Sequence, residues 1–123
     1  MKFTLESSSR VNLVRSYSPT ELRIGEEHLR SSCIVSADRL IADWPPARFD
    51  ALRPEHLDAI FQLGPEVVLL GTGERQRFPP AEIRAAFAAR SVGLEVMDLG
   101  AACRTYNILV QEERHAVAAL FLQ

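Results

Sequence analysis

Glu66-Val67-Val68-Leu69-Leu70-Gly71 is an apolar run of strand length, bounded by Gly64-Pro65 before it and Gly71-Thr72-Gly73 after it. A strand with one wet face alternates apolar and polar side chains. A run without interruption needs cover on both faces, as a strand inside a parallel sheet has. Pro79-Pro80 then opens a helix on which Ile83, Ala86 and Phe87 share one stripe, with Gly93 just past its end. Leu94-Glu95-Val96-Met97 follows as a second central strand. Strand, helix and strand in this order make a parallel, right-handed β-α-β unit. The expected fold class is therefore α/β.

Reading on toward the C-terminus, Asp98 stands where it can cap a third helix by accepting a free backbone N–H. On that helix Leu99, Ala102, Cys103, Tyr106, Leu109 and Val110 share a face, and Arg104, Asn107 and Gln111 line a polar flank. Ala116 to Leu122 reads as a buried strand. Toward the N-terminus, Pro54 takes the first position of a shorter helix carrying Leu57, Ile60 and Phe61. Leu40 to Trp44 is a strand that Pro45-Pro46 must end, since neither proline can donate to a ladder. Leu22-Arg23-Ile24 and His28-Leu29-Arg30 form a β-hairpin turning at Gly25, with the second arm running on to Val35. Residues 11 to 17 read as a strand that buries Val11, Leu13 and Tyr17. Residues 1 to 10 are expected to be loosely ordered.

At 123 residues the chain is one domain, 1–123. Such a length buries roughly two-thirds of the unfolded surface and folds without a staple. A net charge of −2 with interspersed signs gives no reason to expect a nucleic-acid partner. No apolar stretch approaches a membrane span, and no signal peptide is legible. The expected compartment is the cytoplasm.

The strings Leu70-Gly71-Thr72-Gly73, Phe78-Pro79, Val92 to Asp98, Ala101 to Leu109 and Glu112 to Leu120 together resemble the family typed as domain of unknown function 498. That family includes an adipogenesis-associated protein and a mitochondrial assembly factor of respiratory complex I. The resemblance covers about residues 25 to 122 and is densest from Gly64 onward. It implies a three-layer α/β domain with a central mixed, mainly parallel sheet of five strands, the last antiparallel to the others. It implies no enzymatic activity, and relatives that act by binding other proteins. Leu99 departs from the pattern, because many relatives carry Thr there; a hydroxyl donor beside Asp98 is absent.

In an open α/β sheet a ligand favours the crevice beyond the carboxyl ends of the parallel strands. Three loops are expected to converge there: the one after Trp44, Gly71-Thr72-Gly73, and Asp98 with the helix it opens. Gly71-Thr72-Gly73 lacks the third glycine of a dinucleotide fingerprint, since Gln76 stands in its place, and no Lys-Ser/Thr pair makes it a P-loop. The plainer reading is a turn needing φ > 0, or backbone packed close to Trp44 or the third helix. Arg75 and Arg77 could hold a carboxylate or phosphate, or form a solvated charge pair. Asp98 is a base if its pKa is raised, and otherwise a cap. Trp44, the single tryptophan, either lines a pocket or partner surface or plugs one end of the core. Arg104 and Asn107 belong to a stripe that is ordinarily a wet helix face.

His28, His56 and His115 lie in separate elements without metal-ligand spacing, and Cys33 and Cys103 match no metal motif. No metal, cofactor or catalytic set is expected. The candidate binding residues are Trp44, Gly71, Thr72, Gly73, Arg75, Arg77, Asp98, Arg104 and Asn107. The expected function is a non-catalytic protein-interaction or assembly module with an unidentified protein partner. The alternative is a small-molecule or anion-binding protein, even an enzyme, using the crevice between Gly71-Gly73 and Asp98. A homodimer through an edge strand or the N-terminal hairpin is a third possibility, because few residues are available to cover that hairpin's outer edge.

Overall fold

The run that decides the fold becomes β6 (Val67–Gly71), the second-to-last strand of a five-stranded sheet. The structure, a computed structural model, describes residues 11–122; the expected loose arm at 1–10 lies outside that range. The sheet order is β5-β4-β8-β6-β7, built from β4 (Cys33–Ser36), β5 (Leu40–Ile41), β7 (Gly93–Met97) and β8 (Ala116–Leu120). β6 pairs parallel with β7 on one side and with β8 on the other.

The uninterrupted run is explained by its cover. Leu69 packs into one cluster with Cys33, Val35, Ala118, Leu120 and the inner face of a long helix. Val68 and Leu70 pack into a second cluster, on the opposite face, with Ile34, Val117, Ala119 and Phe121. The long helix is α3 (Leu99–Gln111), which buries Leu99, Ala102, Cys103, Tyr106 and Val110. The other face is covered by α1 (Asp58–Phe61), preceded by a 3-10 turn at Pro54–Leu57, and by α2 (Ala81–Ala89), which buries Ile83 and Phe87. Three layers result, as the family resemblance implies.

A second, antiparallel sheet, β1 (Val14–Tyr17), β2 (Leu22–Ile24) and β3 (Glu27–Leu29), lies on the α3 side. Its Val14, Leu22, Ile24 and Leu29 share the cluster of α3.

Several expectations are corrected. The last strand, β8, is parallel to β6; the reversed strand is β4, antiparallel to both β8 and β5. The second hairpin arm stops at Leu29, and the chain enters the large sheet as a separate strand at Cys33. At this crossing Ser32 is buried, its hydroxyl lying 2.9 Å from the carbonyl of Trp44 and 2.7 Å from that of Pro46. β1 buries Val14, and a bulge between Val14 and Ser16 breaks the two-residue alternation and sets Tyr17 on the same face, opposite Leu22, where the ring stays exposed. The strand at Leu40 ends at Ile41, short of Trp44.

Candidate functional site

The carboxyl ends of β6 and β7 are tied together by backbone bonds. The amide of Thr72 donates to the carbonyl of Met97 at 2.9 Å, and the amide of Leu99 donates to that of Gly73 at 2.7 Å. Of the three loops expected to converge, these two meet. Gly71 and Gly73 serve different ends. A Cβ on Gly71 would lie 3.0 Å from the side chains of Ala102 and Leu120, so its glycine lets α3 lie close against the sheet. Gly73 has φ +95°, a conformation that L side chains rarely adopt, with open space around it.

Thr72 is buried and spent on the loop. Its hydroxyl donates to the carbonyl of Arg75 at 2.6 Å and accepts from the amide of Arg77 at 3.0 Å. Asp98 caps α3: its Oδ1 accepts from the amide of Ala101 at 2.9 Å. Beyond these contacts lies an open hollow of about 610 Å³, lined by Gly73, Arg75, Asp98, Gly100 and Arg104, and by Tyr17 from the small sheet. Tyr17 lies over the first turn of α3, where a Cβ on Gly100 would come within 3.1 Å of its ring and hydroxyl. Arg104 donates to the Tyr17 hydroxyl. Tyr17 and Gly100 are not among the sequence candidates; the one signal they leave is a glycine in the first turn of an amphipathic helix.

The remaining candidates are placed elsewhere. Trp44 is 2% exposed, its ring 5.3 Å from that of Phe121, and its indole N–H donates to the carbonyl of His56 at 3.2 Å. It plugs the core on the α1–α2 side and does not line the hollow. Arg77 turns away from the hollow to Asp50, with which it forms an ion pair, and its guanidinium stacks 4.9 Å above the Phe49 ring. Asn107 is committed to the fold: its amide group accepts from the Val14 N–H and donates to the Val14 carbonyl, both at 2.9 Å. That pair of bonds covers the outer edge of the small sheet at Val14. Of the nine candidates, the hollow therefore gathers Gly73, Arg75, Asp98 and Arg104.

Burial pushes the thiols of Cys33 and Cys103 up to about 12, and burial also raises the hydroxyl of Tyr106, which donates to the carbonyl of Asn12. Thiols held neutral in this way are poor nucleophiles. Among the described residues no group of three His, Cys, Asp or Glu side chains is placed to hold a metal ion.

The model of the family described as protein of unknown function (DUF498/DUF598) matches residues 14–121. The chain belongs to this family. A Francisella tularensis protein called 13 kDa major membrane protein is 42% identical over 65 residues, which is 53% of this chain and 53% of that protein. The zebrafish (Danio rerio) protein called NADH dehydrogenase [ubiquinone] 1 alpha subcomplex assembly factor 3 is 32% identical over 117 residues, covering 94% of this chain and 67% of that protein. The chain thus spans about half to two-thirds of the curated relatives' length. An NMR structure from Xanthomonas campestris superposes with a TM-score of 0.83 at 40% identity, covering 90% of this chain and 84% of that one. Among the described residues no helix is long and apolar enough to cross a membrane.

Proposed function

We propose that this family member is a non-catalytic assembly module that works by binding another protein. The observation that carries the reading is the extent of the match to the assembly factor: 117 residues, 94% of this chain. The side-chain geometry supports it. Thr72, Asp98, Arg77 and Asn107 each hold backbone or pair locally, so the polar groups best placed for chemistry are already engaged in the fold.

What remains outward is a surface. Tyr17 and Ile108 are exposed at 43% and 56%, and Arg104 lies one helical turn before Ile108. Tyrosine and arginine are residue types that anchor protein interfaces, and here they share one ridge with an exposed isoleucine. In this proposal the partner docks on that ridge of α3, beside the hollow bordered by Arg75 and Asp98.

A photo-crosslinking amino acid at Ile108 tests it in native lysate. The expected result is one predominant crosslinked protein, lost on Arg104→Glu. Absence of any defined product at several salt concentrations would overturn the reading. The cytoplasm is the compartment proposed with it; recovery of the chain in the carbonate-washed membrane pellet would overturn that part.

A further inference from the structure

β7 is the last strand of the large sheet, and among the described residues β6 is the strand it pairs with. The orientation of its backbone follows from its ends. The amide of Gly93 donates to the carbonyl of Glu66, and the carbonyl of Met97 accepts from Thr72, so Gly93, Glu95 and Met97 turn their backbone groups toward β6. Alternation then turns the N–H and C=O of Leu94 and Val96 outward. Among the described residues one of these four groups is engaged: the side chain of Gln76 donates to the carbonyl of Val96 at 2.9 Å. That bond holds the side chain of Gln76 against the edge.

Proteins usually blunt such an edge with charge, proline or cover. Here the strand carries one charge, Glu95, which is exposed and has no ion-pair partner among the described residues. Leu94 and Val96 are half-buried against the α1–α2 cluster, so an added strand would extend that apolar face. We propose that the outer edge of β7 is a docking rail for an extended segment of a partner protein, with apolar side chains beside Leu94 and Val96 and a basic side chain opposite Glu95. This rests on the reading of the protein as an interaction module and adds a second surface to the α3 ridge.

Charge selects this occupant over a second copy of the chain. The two-fold pairing of β7 strands with the greatest overlap sets Glu95 opposite its own copy, and like charges directly opposite are destabilising. Either occupant would require Gln76 to leave the Val96 carbonyl, so charge alone separates the two. A lysine or arginine in the added strand instead supplies the missing counter-ion.

Hydrogen exchange read by NMR tests the rail with two capped pentapeptides, Ac-Lys-Val-Lys-Val-Lys-NH2 and its glutamate counterpart. The free protein should exchange the Leu94 and Val96 amides faster than those of Glu95 and Met97. The lysine peptide should slow the outward pair selectively and bind more tightly than the glutamate peptide, by up to roughly fivefold from the attraction alone and by more once the repulsion of the glutamate peptide is added. Glu95→Lys should reverse the preference, and Gln76→Ala should strengthen binding of both peptides.

Unchanged exchange at Leu94 and Val96 with either peptide would overturn the rail, as would a preference that survives Glu95→Lys. Protection of these amides that rises with protein concentration alone would assign the edge to a second copy. If the Ile108 crosslink persists while the peptides fail, the interaction reading stands and only the rail falls; if both fail, both fall.

Discussion

The side chain of Asn107 pairs with the backbone of Val14 as a neighbouring strand would, accepting from its N–H and donating to its carbonyl, both at 2.9 Å. The two residues are 93 positions apart. This pair and the bond from the Tyr106 hydroxyl to the carbonyl of Asn12 fasten the small sheet to α3. Asn107→Ala removes both Asn107 bonds and leaves a part-buried donor and acceptor unmatched, a loss of about 2 kcal/mol. Urea unfolding should show the midpoint falling at constant slope. Limited proteolysis should cut first within β1 to β3.

Gly71 and Gly73 should respond to alanine for different reasons. Gly71→Ala drives a methyl to 3.0 Å from Ala102 and Leu120, an overpacking cost of about 1–3 kcal/mol. Gly73→Ala meets no atom, and its cost is backbone strain at φ +95°, again about 1–3 kcal/mol. A double-mutant cycle separates them. With Ala102→Gly, the first substitution should couple by more than about 0.5 kcal/mol and the second should add.

Where a residue's environment is set by its own neighbours in sequence, it was legible. Val67 to Leu70 carry no polar side chain, and the strand is indeed covered on both faces. Asp98 precedes an amphipathic helix and caps it. The failures arise where the deciding contact is remote or breaks a period. Asn107 occupies a helix flank that is ordinarily wet, and only the approach of Val14 makes it structural. The bulge beside Val14 shifts which residues of β1 face inward. Trp44 follows a strand in a loop, and its burial is decided by Phe121 at the far end of the chain. Of the candidate site, the meeting of Gly73 with Asp98 follows from β-α-β geometry. The contribution of Tyr17 depends on how a second sheet docks, which no local pattern encodes.

Asp98 should behave as a cap. Asp98→Ala strands the Ala101 amide and should cost about 1 kcal/mol. Asp98→Asn and Asp98→Ser, which keep an acceptor at the same place, should fall within a few tenths of a kcal/mol of the parent. Denaturation midpoints of the three variants check this ordering. A loss in Asp98→Asn as large as that in Asp98→Ala would mean that the negative charge, rather than the acceptor, is what this position needs.

Cys33 and Cys103 should make the protein sensitive to alkali. Burial is the largest cause of their shifts, raising both thiols from 9.0 to about 12 in the folded chain. Above pH 9 the unfolded chain releases these protons and the folded chain keeps them, so the unfolded state gains relative to the folded one. The stabilisation is therefore complete below pH 9 and is lost as pH rises toward 12. Each thiol contributes a fall of about 1.4 kcal/mol per pH unit inside that window. Tyr106, also raised by burial, adds to the fall above its ordinary value of 10.0. Replacing both cysteines with alanine should flatten the decline above pH 9, leaving the tyrosine contribution. Equal slopes for the parent and the double variant in urea titrations would show that these thiols ionise as readily in the folded chain as in the unfolded one.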